Sequence, residues 1–200
     1  MNDRSPEYIR PLLVRIDRLM AERERVLVAI DGGSASGKTT LGELLQNVYG
    51  CPVFHMDDFF LRPEQRTPER FSELGGNVDR ERFLSEVLLP LREGKAVDYR
   101  RFDCKTFTIA SPRRIEPGRL NIIEGAYAMH PDLAPYYDLT VFLAVSAEKQ
   151  RERILKRNAP AQAELFFDRW IPFEQRYFAA LNVPERCDLT IFLDDQTSVP

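Results

Sequence analysis

The stretch at residues 26–49 constrains the fold of this chain more than any other part of the sequence. An apolar run at 26–30 leads directly into a loop rich in glycine and serine, and residues 40–49 carry leucine and valine at helical spacing. The loop fits the pattern G-x-x-x-x-G-K-[ST], which belongs between a strand and a helix. Its residues are Gly32, Gly33, Ser34, Ala35, Ser36, Gly37, Lys38, Thr39 and, one position beyond the pattern, Thr40.

The residue types in this loop are those that a phosphate-binding P-loop requires. Glycines let backbone N–H groups turn inward around a polyphosphate, and the N-terminus of the following helix adds its dipole to the anion site. Lys38 is placed to reach the β- and γ-phosphates, and the Thr39 hydroxyl is placed to ligate Mg²⁺. The alternative is an ordinary Gly/Ser-rich turn between a strand and a helix. The sequence therefore predicts a site for a nucleoside triphosphate.

Charge and composition exclude several classes of protein. Lysine and arginine number 28 against 31 aspartate and glutamate, so no global field favours nucleic acid or an anionic membrane. The longest apolar runs, about six residues, are far too short to span a membrane, and the N-terminus is too charged for a secretory signal. The cysteines (Cys51, Cys104 and Cys187) are widely spaced without a C-x-x-C pattern, which indicates reduced thiols. We expect a cytoplasmic protein.

Apolar, strand-like runs alternate with helical patterns along the chain. Because each strand is an apolar run, it should be buried on both faces, as in a parallel sheet covered by helices. We predict an α/β fold, the three-layer sandwich of a P-loop NTPase with a five-stranded, mostly parallel sheet. Strands are expected at 26–31, 52–56, 120–123, 139–143 and 189–193, and helices at about 12–24, 38–49, 80–93, 147–158 and 162–180.

The length of 200 residues fits a single domain that spans the whole chain and carries one small insertion. The insertion, 58–118, lies between the second and third strands and should enclose a small substrate. Within it we expect a loop at 59–78 and a hairpin at 95–118. Residues 1–25 contain an N-terminal helix that should pack on the sheet from outside. The segment 147–165 is a candidate lid, which we expect to be mobile in the free protein.

Three carboxylates lie at predicted strand ends. Asp57 and Asp58 come directly after the second strand, and Glu124 follows the third. Because ligands gather at the carboxyl ends of parallel strands, these side chains should converge with the P-loop on one cleft. Asp57 is placed to take the proton of an attacking hydroxyl, Asp58 to hold water on Mg²⁺, and Glu124 to reach Mg²⁺ as a Walker-B acid. The alternatives are a turn cap for the aspartates and a structural role for Glu124.

A basic helix follows the fourth predicted strand. It carries Arg151, Arg153, Lys156 and Arg157, of which the second and the last lie one turn apart on the same face. Phosphoryl transfer spreads negative charge over equatorial oxygens, and cations on a mobile helix stabilise that charge. We predict that Arg153 and Arg157 face the phosphates. A solvated, charged helix face is the alternative.

Two places in the insertion present a choice between ligand binding and structure. Asp79 precedes the helix at 80–93 and either caps it or accepts hydrogen bonds from substrate hydroxyls. Phe102 and Asp103 either bind the substrate, by ring stacking and a polar contact, or pack in an ordinary loop. The aromatic group at 170–177 is interpreted as packing residues.

Taken in order, these motifs resemble the uridine kinase-like branch of the P-loop kinases, which also holds phosphoribulokinase and bacterial pantothenate kinase. The similarity runs over roughly residues 26–195. Met56-Asp57-Asp58-Phe59-Phe60 resembles the family's Asp-Ser-Phe-Tyr stretch, and Ile123-Glu124-Gly125 resembles its Glu-Gly after the third strand. The resemblance implies that Asp57 is the catalytic base and that Phe60 replaces a substrate-contacting tyrosine.

The insertion and the basic helix carry further similarities. Asn77-Val78-Asp79 resembles a segment whose aspartate holds ribose hydroxyls, and Phe102-Asp103 resembles the Tyr-Asp of a base-recognition hairpin. Arg153 with Arg157-Asn158 resembles a lid pattern of spaced arginines. Two features depart from the family: Phe107 stands where it has a base-reading histidine, and the residues that follow the lid pattern lack its Arg-Gly-rich extension.

The resemblance implies an ATP- and Mg²⁺-dependent kinase that phosphorylates a hydroxyl of a small metabolite, with a nucleoside such as uridine or cytidine as the first choice. A pantothenate-, glycerate- or sugar-like alcohol is the alternative, because Phe107 replaces the base-reading histidine. A nucleotide-binding switch module is the alternative from a different class. The expected partners are ATP and the hydroxyl acceptor, with no nucleic acid and no membrane, and the relatives imply that a homo-oligomer is possible.

Overall fold

Strands and helices alternate along the chain, as the sequence predicts. The computed structural model describes residues 6–193. The first five residues of the predicted N-terminal segment and residues 194–200 lie outside the described part. The described strands are β1 (Val26–Gly32), β2 (Val53–His55), β3 (Val97–Tyr99), β4 (Phe102–Asp103), β5 (Thr108–Ile109), β6 (Arg113–Ile115), β7 (Leu120–Glu124), β8 (Leu139–Ala144) and β9 (Leu189–Phe192).

The helices follow the predicted pattern but divide it more finely. Short 3₁₀ turns occupy Glu7–Ile9, Met56–Phe59, Pro63–Gln65 and Ala134–Tyr136, and π-helical turns occupy Leu84–Leu88 and Phe166–Trp170. The α-helices are α1 (Arg10–Glu22), α2 (Lys38–Tyr49), α3 (Pro68–Ser72), α4 (Arg80–Phe83), α5 (Leu89–Arg92), α6 (Ala147–Arg157), α7 (Pro160–Leu165), α8 (Ile171–Leu181) and α9 (Val183–Arg186).

The central sheet of the described chain has five parallel strands in the order β2-β7-β1-β8-β9. The predicted α/β fold with a parallel sheet is therefore confirmed. β1 lies in the middle, between β7 and β8, so the P-loop that follows it opens at the centre of the carboxyl edge. β7 runs one residue further than predicted, because Glu124 still pairs with Ile30 on one side and with His55 on the other.

Each face of the sheet carries its own apolar layer. Alternate β1 side chains point to opposite faces: Val26, Val28 and Ile30 pack with residues of α1 and α2, whereas Leu27 and Ala29 pack with residues of α4, α8 and α9. Every residue of β1 is buried. The three layers follow from the predicted apolar strands, which must be covered on both sides.

Two predicted helices contain a π-helical turn just before a proline. The helix expected at 80–93 runs as α4, the turn Leu84–Leu88 and α5, with Pro90 near the start of α5. The helix expected at 162–180 likewise widens at Phe166–Trp170 before Pro172. A proline ring clashes with the carbonyl one turn earlier and lacks an N–H, and a wider turn accommodates it within a continuous helix.

The insertion between β2 and β7 consists of short elements. The loop expected at 59–78 contains the turn Pro63–Gln65 and α3, which begins after Thr67 because that hydroxyl accepts a hydrogen bond from the backbone N–H of Arg70. The hairpin expected at 95–118 is two antiparallel pairs, with β4 and β5 lying between β3 and β6 in the sequence.

The N-terminal segment packs on the face of the sheet that α2 also covers. Ile9, Leu12 and Ile16 are fully buried there. Pro11 occupies the first turn of α1, where a missing N–H costs little. Among the described residues, no helix combines the length and the apolar composition that crossing a membrane requires.

Candidate active site

The P-loop is closed around the side chain of Lys38. Its Nζ donates hydrogen bonds of 2.9 Å to the carbonyl oxygens of both Gly32 and Gly33. A Cβ on Gly32 would lie 2.5 Å from the carbonyl oxygen of Leu143, so only glycine fits beside β8. Gly37 has φ of +106°, a conformation that favours glycine, and it turns the chain into α2. The ammonium group and the first amides of α2 thus face one anion site.

A cavity of about 450 Å³, here called the P-loop cavity, lies above this loop. Its lining includes most of the residues that the sequence assigned to phosphates, metal and proton transfer. They are Ser34, Ala35, Gly37, Lys38, Thr39, Thr40, Asp57, Glu124, Arg153 and Arg157. Gly32, Gly33 and Ser36 lie in the loop itself, and Ser36 is fully buried.

A second cavity of about 510 Å³, here called the Arg113 cavity, adjoins the first. Thr39, Asp57 and Glu124 line both cavities, so they stand at the boundary. Asp58 and Arg113 line only the second. Two spaces that meet at a carboxylate, a hydroxyl and a second carboxylate suit a reaction between two bound molecules.

The boundary contains oxygen ligands of the kind that Mg²⁺ takes. The Thr39 hydroxyl donates a 3.1 Å hydrogen bond to Oε1 of Glu124, and Nδ1 of His55 lies 2.5 Å from the same oxygen. That hydrogen bond to Glu124 raises the pKa of His55. Within residues 6–193 no group of three or more His, Cys, Asp or Glu side chains could hold a metal alone. The residues fit Mg²⁺ that keeps water and phosphate oxygens as its other ligands.

Asp57 stands on the turn that follows β2. Its side chain is open to the cleft but protein surrounds it on its other sides, and this desolvation raises the pKa of the carboxyl group. The charge of Lys38 opposes the rise, whereas Glu124 and Asp58 reinforce it. A carboxylate with a raised pKa is a stronger base, which suits removal of a hydroxyl proton.

Asp58 is a buried anchor whose oxygens already have partners. One oxygen accepts a 2.7 Å hydrogen bond from the Tyr99 hydroxyl, and the other accepts one of 2.7 Å from Nε of Arg101. These bonds fasten the turn after β2 to β3 and to the start of the hairpin. The carboxylate lies at the wall of the Arg113 cavity, and its role in metal or substrate binding stays a prediction.

Asp79 caps α4 and lines a cavity whose lining does not include Asp57. Its Oδ1 accepts a hydrogen bond from the backbone N–H of Arg82, which is the capping alternative of the sequence analysis. Its Oδ2 is buried without a hydrogen-bond partner in the described chain and lies 3.4 Å from Nε of Arg62. The carboxylate lines a third cavity of about 520 Å³, together with Arg62, Arg82 and Arg100. Its contact with substrate hydroxyls stays a prediction.

The hairpin residues assigned to the acceptor line none of the three cavities. Phe102 is buried, and Phe107 stands half-exposed at the hairpin tip with φ of +57°. The guanidinium of Arg66 covers both rings, at 5.6 and 4.9 Å from their centroids. Asp103 accepts hydrogen bonds from the backbone N–H groups of Lys105 and Thr106, so its oxygen closes the turn.

Phe60 also lies outside these cavities. It forms an isolated bridge with Val78, which ties the start of the insertion to the segment before α4. Phe60, Phe102, Asp103 and Phe107 are therefore not among the residues that line the two cavities at Asp57. Their roles in acceptor binding stay predictions.

The two predicted lid arginines approach the P-loop from α6. Arg153 donates hydrogen bonds of 3.1 and 3.3 Å to the carbonyl oxygens of Ala35 and Ser36, and another to that of Leu193. Arg157 lies over the ring of Phe166, 5.7 Å from its centroid. Both line the P-loop cavity, and Arg157 is exposed. Their contact with phosphates stays a prediction.

With this geometry in place, the chain can be compared with known proteins. A sequence profile of the Phosphoribulokinase / Uridine kinase family matches residues 27–161. The chain belongs to this family. Its members are P-loop kinases, so the family and the fold together support a phosphotransferase that uses a nucleotide.

Curated members of the family are distant and longer. Uridine kinase-like protein 4 of Arabidopsis thaliana is 28% identical over 145 residues, covering 68% of this chain and 31% of that protein. Phosphoribulokinase of Synechocystis is 21% identical over 176 residues, covering 86% of this chain and 50% of that protein. The chain thus spans no more than half the length of either relative.

Solved structures extend the fold comparison. A possible uridine kinase from Bacillus stearothermophilus superposes with a TM-score of 0.65 at 23% identity, over 90% of this chain and 99% of that one. A protein from Silicibacter described as a candidate kinase of a fructose transport system gives 0.71 at 22% identity, over 93% and 99%. These likenesses show the fold.

Within this family member, Glu174 is a site residue that the sequence analysis missed. It projects from α8 to the P-loop, where it accepts hydrogen bonds from the Ser34 backbone N–H (2.9 Å) and hydroxyl (2.6 Å). It is 4% exposed, and its burial raises the pKa of the carboxyl group. The carboxylate thus accepts the hydrogen bond of a backbone N–H group that a P-loop otherwise donates to phosphate. An acidic residue within the aromatic group at 170–177 was the available signal.

Asp31 is the second missed residue, and it lies near the end of β1, directly before the P-loop. It is fully buried and accepts hydrogen bonds from the backbone N–H groups of Gly32 (2.6 Å) and Met129 (2.9 Å) and from the Tyr177 hydroxyl (2.9 Å). Burial raises the pKa of this carboxyl group to about 6. Tyr177, which the sequence analysis interpreted as a packing residue, is thus buried and also donates a hydrogen bond to Asp31 beside the P-loop.

Proposed function

We propose that this chain is an ATP- and Mg²⁺-dependent kinase that transfers the γ-phosphoryl group to a hydroxyl of a small metabolite, with a nucleoside such as uridine or cytidine as the leading acceptor. The observation that carries this proposal is the position of Asp57. It lines the P-loop cavity, which takes the triphosphate, and also the Arg113 cavity, which takes the acceptor.

The residues at the boundary have complementary tasks in this reaction. Asp57 takes the proton of the acceptor hydroxyl while the oxygen of that hydroxyl forms a bond to the γ-phosphorus. The bond between the γ-phosphorus and the bridging oxygen breaks, and ADP leaves. Lys38, Arg153 and Arg157 stabilise the charge on the transferring group. Thr39 and Glu124 would hold Mg²⁺, which neutralises charge on the β- and γ-phosphates.

A pantothenate-, glycerate- or sugar-like alcohol is the second candidate acceptor, and an anionic one suits the site best, because two arginines line the space beside Asp57 while its one ring of Phe, Tyr or Trp, that of Tyr99, has its hydroxyl bonded to Asp58. Arg101 and Arg113 line the Arg113 cavity, whereas Phe102 and Phe107 do not. The Arg113 side chain is exposed and forms no hydrogen bond or ion pair with any other residue in the described part of the chain. A free guanidinium suits a carboxylate or phosphate on the acceptor.

The test is ADP release from ATP and Mg²⁺ with a panel of uridine, cytidine, pantothenate, glycerate, and free and phosphorylated sugars, each product being identified by mass spectrometry. The proposal expects one class of acceptor to be phosphorylated. Turnover with a nucleoside selects the leading acceptor, and turnover with an anionic alcohol selects the second candidate. ATP hydrolysis that no acceptor stimulates would overturn the kinase proposal and favour a switch module.

A further inference from the structure

The residue that this inference concerns is Tyr8, which lies before α1 in the turn Glu7–Ile9. Ile9 and Leu12 are fully buried on the α2 face of the sheet and fix this segment in place. Tyr8 itself is half-buried, packs on the same apolar layer and lines the P-loop cavity. Residues far from the P-loop in sequence therefore form a wall of the proposed nucleotide site.

The P-loop cavity is lined by two chemically different sets of side chains. The charged and polar set, which includes Lys38, Thr39, Glu174 and the two arginines of α6, suits phosphates and metal. The aromatic and apolar set comes from Tyr8, Leu41, Ala126, Phe166 and Leu193. A nucleoside triphosphate has the same two parts, a polyphosphate and a flat ring.

Tyr8 and Leu193 line the same cavity and belong to the same apolar layer. A Cβ on Gly37 would lie 3.1 Å from Cδ1 of Leu193. Arg153 donates a 3.0 Å hydrogen bond to the Leu193 carbonyl, and its charge also acts on the Tyr8 phenol. Leu193 therefore lies beside the start of α2, and Arg153 is a common neighbour of Leu193 and Tyr8.

We infer that Tyr8 contacts the nucleobase of the bound nucleoside triphosphate, so that the N-terminal segment forms one side of the base site opposite the lid helix. This inference rests on the proposed function. Phe166, with Arg157 over its ring, supplies a second flat surface on the lid side. Aromatic rings hold bases by stacking, which contributes to affinity for the base and leaves the phosphates untouched.

The test compares two probes that share the phosphates and differ in the base. Binding of ATP and of inorganic triphosphate, each with Mg²⁺, is measured by calorimetry for the wild type and for Tyr8→Ala, Tyr8→Leu and Tyr8→Phe. Tyr8→Leu keeps the apolar packing without the ring, so it remains informative if the alanine variant unfolds. Tyr49→Ala is the matched control. The Tyr49 hydroxyl donates hydrogen bonds to Leu13 and Asp17 of α1, the helix that follows Tyr8, and Tyr49 does not line the P-loop cavity.

The expected result is a loss of ATP affinity of about tenfold in the alanine and leucine variants, the size found when a base loses an aromatic partner. Triphosphate affinity should stay at the wild-type value, and Tyr8→Phe and Tyr49→Ala should bind both probes as the wild type does. Unchanged ATP affinity, or an equal loss for both probes, would overturn the inference. A protein that binds ATP through Tyr8 and phosphorylates no acceptor would overturn the proposed function alone.

Discussion

The P-loop half and the acceptor half of this molecule are built in different ways. The P-loop is one contiguous segment whose backbone amides, glycines and Lys38 form the anion site within a few residues. The acceptor half draws single side chains from the turn after β2, from β3 and from β6, and several are already bonded to each other, as Asp58 is to Tyr99 and Arg101. The first half thus depends mainly on its backbone, whereas the second half depends on side chains, which under the proposed function would set the specificity for the acceptor.

Within the P-loop half, the largest effect is expected at Lys38. Lys38→Met removes the ammonium group that faces both the loop carbonyls and the phosphates, and phosphoryl transfer should fall by at least about 10²–10³-fold. The measurement is initial ADP release with the identified acceptor. Lys95→Met is the control, since Lys95 is paired with Glu93 on the surface. If Lys38→Met transfers phosphate within about twofold of the wild-type rate, the proposed role of the P-loop lysine in the reaction is contradicted.

The next effect concerns the support beneath the P-loop. The pKa of the Asp31 carboxyl group is raised by burial from 3.8 to about 6, so the folded protein holds its proton more tightly than the unfolded chain does. The stabilising contribution is complete below the unfolded value and is lost as the pH rises through about 6. Its total should be on the order of 3 kcal/mol.

Urea unfolding across this pH range measures that contribution. The free energy of unfolding of the wild type, minus that of Asp31→Asn, should fall with rising pH between about 4 and 6. Tyr177→Phe removes a hydrogen bond to the ionised carboxylate, so it should move the fall to higher pH. A difference that stays flat with pH would contradict the assignment to Asp31.

A moderate effect is expected in the acceptor half. If the acceptor carries a carboxylate or phosphate, Arg113→Ala should raise its KM about tenfold and leave the KM for ATP unchanged, because one charge-assisted contact is lost. Arg114→Ala is the control, since Arg114 is paired with Glu116. Equal KM values in Arg113→Ala and the wild type for an anionic acceptor would show that the anion binds elsewhere.

The smallest effect is expected at the hairpin tip. Phe107 is 49% exposed and packs against Arg66, away from the three cavities, so Phe107→Ala should change the acceptor KM by no more than about twofold. Steady-state kinetics with uridine and with the best acceptor check this. A rise of tenfold or more with uridine would instead show that the hairpin closes over the acceptor, as the family resemblance implies.

The same contrast explains how far the sequence could be used. Apolar runs separated by helical patterns predicted the parallel sheet, and the P-loop motif located β1 and α2, because these signals are local. Asp57 and Glu124 were placed at one cleft by the rule that strand ends meet at one edge. These parts of the fold and site depend on periodicity and on strand direction alone.

The residues that the sequence missed depend on contacts between distant segments. Glu174 meets Ser34 across 140 positions, and Tyr177 meets Asp31 across 146. No spacing rule predicts that α8 returns to the P-loop. The π-helical turns before Pro90 and Pro172 were also missed, because both helices were predicted as continuous helices through their prolines. Tertiary packing decides the contacts of Glu174 and Tyr177, whereas the prolines account for the wider turns.

The most direct test of the central claim is the transfer of the γ-phosphoryl group by Asp57→Asn, with Asp98→Asn as an exposed control of the same chemistry. ATP affinity by calorimetry and transfer under single-turnover conditions are measured on the same preparations. The proposed role predicts that Asp57→Asn binds ATP as the wild type does and transfers phosphate about 10²–10⁴-fold more slowly, while the control is unaffected. Transfer at the wild-type rate by Asp57→Asn would contradict the placement of the catalytic base at the boundary of the two cavities.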